Sequence, residues 1–246
     1  MNHVLLLTAT IAPRSGYYSA DHAAPRLRLD DYRRAFAVYL DCLERETFAT
    51  IVFAENSGHD LAELRALAVE RGLADRVIFL PVAPGPVADV NVFYLELDLL
   101  IKAFAAPAVA ALPADTLFWK VTGRYIVENI DTIVRTAPDA DVYVNCRNRP
   151  IRWADFYLAA FTRRAFIALL QAHFPAYHTI RSGEEIFRET VDAAPAQGFR
   201  VTPRLRHVPR VSGARGRDRF NYGGAKGRLR YLARVAAHKV LPGLWI

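Results

Sequence analysis

Short apolar runs alternate along this chain with longer stretches in which apolar positions recur every three or four residues. Residues 3–10, 50–54 (Thr-Ile-Val-Phe-Ala), 77–82, 116–121 and 141–145 (Asp-Val-Tyr-Val-Asn) are runs of the first kind. Their length and their β-branched and aromatic content predict five strands. Between the first two, Tyr32, Phe36, Tyr39, Leu40 and Leu43 share one face of a helix, predicted to start at a cap on Asp30 or Asp31 and to run to about residue 46. Leu61, Leu64, Leu67 and Ala68 mark a second helix over 59–71, closed by Gly72. A third spans 92–106 and stops at Pro107, residues 156–174 read as largely helical, and 183–191 reads as a short helix. Residues 11–29, with Pro13, Gly16 and Pro25, read as a loop ending in Arg26-Leu-Arg28, and Pro84-Gly85-Pro86 opens another. Strands and helices in alternation predict an α/β fold with a mostly parallel central sheet flanked by helices.

Composition narrows the class. A chain of 246 residues is long enough for one large domain, and 52% hydrophobic against 23% charged residues excludes a disordered one. No apolar run reaches the roughly 18 to 20 residues of a membrane span. The first residues lack the basic start and cleavage site of a signal peptide. Cys42 and Cys146 show no metal or redox spacing, so reduced thiols in a cytoplasmic protein are expected. Charge is uneven: ten Arg, two Lys and one acid from Arg200 onward give +11 of a formal net +7, so residues 1–199 carry −4. A tail of that sign suits nucleic acid, anionic lipid or a phosphorylated substrate.

The strand ends hold the candidate chemistry. Leu117-Phe118-Trp119-Lys120-Val121 carries one cation inside an apolar run and ends on Thr122-Gly123-Arg124. Two cations and a hydroxyl at the mouth of a buried strand suggest a phosphate site; the alternative is that Lys120 and Arg124 pair with core carboxylates. Thr8 and Thr10 follow the first strand, and Glu55-Asn56-Ser57 the second. In parallel α/β sheets ligands bind beyond the carboxyl ends of the strands, where all three groups fall. Glu96 lies among apolar neighbours in Tyr94-Leu-Glu-Leu97 and needs a partner, which Lys120 or Arg124 can supply. Neither Gly-x-Gly-x-x-Gly nor a P-loop is present, which argues against dinucleotide oxidoreductases and P-loop NTPases.

Arg28 with Asp31-Tyr32, Glu55-Asn56-Ser57-Gly58, Glu96, Lys120-Val-Thr-Gly-Arg-Tyr125 and Pro209-Arg-Val-Ser-Gly-Ala-Arg-Gly216 together resemble bacterial nucleotide-diphospho-sugar glycosyltransferases of the GT-A kind. More narrowly, they resemble a small group with a Lys-x-Thr-Gly-Arg-Tyr strand end. The resemblance implies a single GT-A-like (Rossmann-like) domain over 1–210. Its nucleotide-binding half would be about 1–130 and its acceptor half about 131–210, followed by a basic loop and amphipathic helix over 211–246. It implies a nucleotide-sugar donor, a glycan or lipid-linked acceptor, and a role in cell-surface polysaccharide assembly. Thr8, Thr10 and Glu55 would hold base and ribose, Arg28 would reach the diphosphate, and Asn56 together with Lys120, Thr122, Gly123 and Arg124 at the fourth strand end would complete the donor site.

Metal-dependent members of that class place Asp-x-Asp at the fourth strand end, where this chain has Lys120 and Thr122-Gly123-Arg124. A literal Asp139-Ala-Asp141 precedes a strand and reads as turn chemistry. Cationic side chains can neutralise a leaving diphosphate directly, so no metal cofactor is expected, with Mn2+ or Mg2+ as the alternative. An inverting transferase also needs a base for the acceptor hydroxyl. Glu184, Glu185 and Glu96 are the candidates, with Asp155 and His178 behind them, although acids in the first turn of a helix are favoured there anyway.

Residues 226–241 place Leu229, Leu232, Ala236 and Val240 at helical spacing beside Lys226, Arg230, Arg234 and His238. Such a helix either lies on an anionic membrane at the inner face of the cytoplasmic membrane, with Trp245 at the headgroup boundary, or packs on the body with its basic face in water. The basic loop 215–219 is either a lid over a diphosphate or a linker. Two other classes stay open: a non-catalytic scaffold of the same shape, and a nucleic-acid binder. No helix-turn-helix, zinc or RNA-recognition pattern is present, so no nucleic acid is expected.

Overall fold

A computed structural model describes residues 2–13, 24–85, 92–179, 181–215, 220–241 and 243–246. The strands in chain order are β1 (His3–Ala9), β2 (Thr50–Glu55), β3 (Val77–Pro81), β4 (Leu117–Thr122), β5 (Ile126–Val127), β6 (Val142–Arg147), β7 (Trp153–Thr162), β8 (Val201–Thr202) and β9 (Val211–Ser212). Seven of them form one sheet in the order β3-β2-β1-β4-β7-β6-β8, while β5 and β9 pair separately. β1 is parallel to both β2 and β4, and β2 to β3; β7 runs antiparallel between β4 and β6. The chain winds outward from β1 to β3, then crosses back to lay β4 on the other side of β1. That reversal opens a crevice between the carboxyl ends of β1 and β4.

Side chains of β1 alternate between two cores, as a strand covered on both faces requires. Leu5 and Leu7 pack with Tyr32, Phe36, Leu40 and Leu64 from the Pro25–Glu44 and Ala62–Glu70 helices. Val4 and Leu6 pack with Phe93, Leu97, Leu100 and Phe187 from the Val92–Ala105 and Gly183–Ala193 helices. Cys42 and Cys146 are both buried and unbridged, and burial pushes each thiol up to about 12. Among the described residues, no helix is long and apolar enough to cross a membrane.

Two predicted elements change. The segment 156–174 is not one helix: its first part is β7, a ten-residue strand, followed by a short helix at Arg163–Ala165 and a π-helical turn at Phe166–Gln171. β7 is buried on both faces between neighbouring strands, so Phe156-Tyr-Leu-Ala-Ala-Phe161 lacks the period-two alternation that marks a half-exposed strand. The first helix starts at Pro25 and not at Asp30 or Asp31; a proline fits the first turn because its missing N–H has no helical partner to lose. Arg28 is therefore a buried helical residue, not the end of a loop. Gly16, Pro86 and residues 216–219 lie outside the described residues.

Candidate functional site

A cleft opens at the β1/β4 crossover. Thr8, Ala9 and Thr10 from the end of β1, Asn56 and Ser57 after β2, and Thr122 and Arg124 after β4 line it. The Pro25–Glu44 helix adds Arg28 and Tyr32, the Val92–Ala105 helix adds Leu95, Glu96 and Leu99, and Pro84-Gly85 close one side. Its space, open mouth included, is about 860 Å3.

The walls are cross-braced by hydrogen bonds that begin at the strand ends. The buried Glu55 carboxylate accepts the backbone N–H groups of Ile11 (3.0 Å), Ser57 (2.9 Å) and Gly58 (3.0 Å), and the Ser57 hydroxyl. It thereby fixes the loops after β1 and β2 relative to each other. Thr10 Oγ1 donates to Asn56 Oδ1 at 2.7 Å, and the Ala12 N–H donates to Ser57 Oγ at 2.9 Å. Arg28 Nε donates to the Thr10 carbonyl at 2.9 Å, and the Tyr32 hydroxyl accepts the Thr10 N–H at 3.0 Å. Arg124 donates to the same hydroxyl at 3.4 Å, so Tyr32 links the ends of β1 and β4. Gly123 allows this closeness: a Cβ there would lie 2.9 Å from the Thr8 carbonyl and 3.4 Å from the Tyr32 ring. Behind it, Tyr39 donates to the Tyr125 carbonyl at 2.7 Å and accepts the Val127 N–H at 3.0 Å.

Beneath the cleft, one carboxylate oxygen gathers three donors. Glu96 Oε1 receives Thr8 Oγ1 at 2.6 Å, Thr122 Oγ1 at 3.0 Å and Lys120 Nζ at 2.7 Å. Lys120 is 2% exposed; its ammonium also donates to the Phe156 carbonyl and sits 4.3 Å from the centre of that ring. Burial pulls the Lys120 ammonium below its ordinary range, opposed by Glu96. Burial alone would raise the Glu96 carboxyl, but the Lys120 charge and the three hydrogen bonds hold it below its ordinary value. Such a carboxylate is a weak proton acceptor.

No protein-family model matches the sequence, and no curated protein does. Among solved structures, the nucleoside-diphosphate-sugar pyrophosphorylase from Vibrio cholerae RC9 aligns over 94% of this chain and 99% of its own, with a TM-score of 0.51 at 11% identity. The chain shares that protein's fold. A protein described as a nucleotide-diphospho-sugar transferase, from Desulfovibrio desulfuricans G20, gives a TM-score of 0.47 over 82% of this chain and 80% of its own at 14% identity. The galactosyltransferase LgtC, solved with donor and acceptor sugar analogues, gives 0.46 over 76% of this chain and 69% of its own at 12% identity. At such identities the likeness concerns fold alone: a GT-A-like α/β architecture around a mostly parallel sheet.

The predicted donor-binding residues separate into two groups. Thr8, Thr10, Arg28, Asn56, Thr122 and Arg124 line the cleft. Glu55 and Lys120 do not; both are committed to interior partners, and Gly123 acts through the close approach it allows. Of the acids, Glu96 lines the cleft, while Glu185 lies on a separate surface depression with Arg181 and Arg188. Glu184 accepts from Ser182 Oγ at 2.9 Å, and its charge raises the affinity of Lys120 for its proton. Asp155 receives Arg147 Nε at 3.0 Å, Arg147 at a second nitrogen at 2.7 Å, and Asn145 at 2.9 Å. The His178 ring meets Tyr94 edge-on at 5.4 Å.

Glu96 is the one carboxylate among the described lining residues, and it is held by Lys120. Asp139 and Asp141 pair with Arg200 at the start of β6, the sheet edge opposite the cleft. Among the described residues, no cluster of three His, Cys, Asp or Glu side chains is placed to hold a metal ion. Ser57 was expected at the second strand end, whereas Tyr32, quoted only beside Arg28, was given no place in the wall. Tyr32 did carry a signal, since a tyrosine on an inward helix face needs a partner for its hydroxyl.

Proposed function

We propose that this chain is a glycosyltransferase that moves a sugar from a nucleotide-diphosphate donor to a glycan or lipid-linked acceptor in cell-surface polysaccharide assembly, without a metal ion. The observation that carries the reading is the crossover cleft with Arg28 and Arg124 in its wall and Glu96, the one carboxylate among its described lining residues, already paired with Lys120. Breaking the bond between the anomeric carbon and the phosphate oxygen leaves its electron pair on the departing diphosphate. Fixed guanidinium groups stabilise that charge and offer bidentate geometry to phosphate oxygens. Thr10, Asn56 and Ser57 supply hydrogen-bonding groups for base and ribose. Thr8, Thr122 and Lys120 hold Glu96 in place, so Glu96 is a positioning residue in this reading. Glu184, whose charge reaches Lys120, takes the acceptor proton. Residues 1–130 supply most of the cleft and 131–210 the acceptor side.

The test is a panel of nucleotide sugars incubated with the protein in excess chelator, with products separated by chromatography. Release of nucleoside diphosphate together with a glycosylated acceptor is the expected result. Formation of pyrophosphate from nucleoside triphosphate and sugar 1-phosphate would instead assign nucleotidyl transfer. Activity that appears only on addition of Mn2+ or Mg2+ would overturn the metal-free reading.

A further inference from the structure

The C-terminal helix, Ala225–Val240, is packed the wrong way round for a helix stabilised by its own apolar face. The residues turned to the body are Gly227, Tyr231, Arg234, Val235, Ala237 and His238. Gly227 lies so close under the Tyr222 carbonyl that a Cβ would meet it at 1.9 Å. Arg234 sits by the Arg147–Asp155 pair and is lowered first by burial and then by Arg147. His238 is lowered by burial and by the charges of Arg204 and His207. The leucines point to water. Leu229 is 69% exposed, Leu232 60%, Val240 74% and the following Leu241 54%. Leu229, Leu232 and Val240 recur at helical spacing and, with the exposed Ala233 and Ala236, form one continuous stripe.

An inner face that carries Arg234 and His238 while the leucines lie outside reverses the arrangement that the hydrophobic effect favours in water, so something must cover the stripe. The flanks say what. Lys226 and Arg230 border the stripe on one side and Arg228 and Lys239 on the other, all exposed, and the helix contains no acid. A second copy seated symmetrically on this face would bring these cations against one another. An anionic bilayer meets both features: acyl chains accept the leucines, and headgroups meet the cations.

We propose that this helix docks the protein flat on an anionic membrane surface through Leu229, Leu232, Val240 and the four flanking cations. The inference stands apart from the donor chemistry. Trp245 takes no part: its ring lies 5.6 Å from the Arg188 guanidinium and 5.8 Å from that of Arg204, and its carbonyl accepts the Asn148 N–H at 2.8 Å.

The full chain is sedimented with vesicles of phosphatidylcholine alone or with about a third phosphatidylglycerol, in low and in 0.5 M salt. Binding is expected only to the anionic vesicles, with a loss on the order of tenfold in high salt. Glutamine is a good helix former, so Leu229→Gln/Leu232→Gln/Val240→Gln keeps the helix while removing apolar area. Its partition coefficient is expected to fall at least about tenfold with unchanged melting temperature and nucleotide binding. Should that variant fail to fold, Lys226→Glu/Arg230→Glu tests the charged flank, again with an expected loss on the order of tenfold. Sedimentation equal with and without vesicles, undiminished binding by a folded variant, or a solution dimer that the triple substitution dissociates would each overturn the proposal.

Discussion

Two carboxylate–cation clusters stand on the same edge of the sheet and have opposite surroundings. At the β1/β4 crossover Glu96 receives Lys120, Thr8 and Thr122; at the β6/β7 end Asp155 receives Arg147 twice and Asn145. Both carboxylates are satisfied. The difference lies in what surrounds them. Beside Glu96, the half-buried Arg124 and the buried Arg28 line the cleft. Near Asp155 lies the half-buried Arg234 of the C-terminal helix, on which the charges of Arg147, Asp155, Tyr157 and Tyr222 act. In the proposed reading, a strand-end cation serves as a ligand group where neighbouring acids are already paired and room remains in front of it.

Substitutions can break this contrast. The largest effect is expected from Lys120→Met, which leaves Glu96 as an uncompensated buried charge. It should cost about 3–5 kcal/mol of unfolding free energy in urea titration, and Lys120→Met/Glu96→Gln should recover most of it. A loss confined to nucleotide affinity would mean that Lys120 faces ligand after all. Next comes Gly123→Ala: the added methyl against the Thr8 carbonyl should cost about 1–3 kcal/mol and loosen the cleft, read from the same titrations. Arg124→Gln should leave the denaturation midpoint nearly unchanged and weaken nucleoside diphosphate binding about 10- to 100-fold by calorimetry, as loss of a hydrogen bond to a charged group predicts. A destabilised protein with intact affinity would reverse the assignment.

The smallest effect is a pH dependence. Trp119 Nε1 donates to His3 Nδ1 at 3.0 Å, which requires that nitrogen unprotonated. Burial first, and then the N-terminal charge, lower the His3 pKa. The unfolded chain therefore binds this proton more readily than the folded one. The stability His3 confers is present above its ordinary value of about 6.5 and declines as pH falls through and below it. Melting temperatures should drop modestly between pH 8 and 5.5, and less in His3→Gln; identical slopes would remove His3 from the account.

The parallel half of the sheet was legible because Thr50-Ile-Val-Phe-Ala54 and its counterparts are short, apolar and bounded by turn residues. β7 was not, because burial on both faces erases alternation and leaves an apolar run that suits helix and strand equally. Strand ends located the cleft for a topological reason. What the sequence could not separate was Lys120 from Arg124, four positions apart at one strand end. Their roles diverge through Glu96 on a different helix, a long-range pairing that local pattern does not encode. The tail showed its amphipathic spacing but not its orientation, since packing against the Arg147–Asp155 cluster decides which face turns inward.

The central claim is that arginines in the crossover cleft hold the pyrophosphate of an activated sugar. Calorimetric titration of nucleoside diphosphates and monophosphates into the protein in excess chelator, repeated on Arg124→Gln, addresses it directly. The account predicts diphosphate binding at least about tenfold tighter than monophosphate binding without metal, with that preference lost in the variant. Equal affinity for both nucleotides, or diphosphate binding that appears only with added Mn2+, would contradict it.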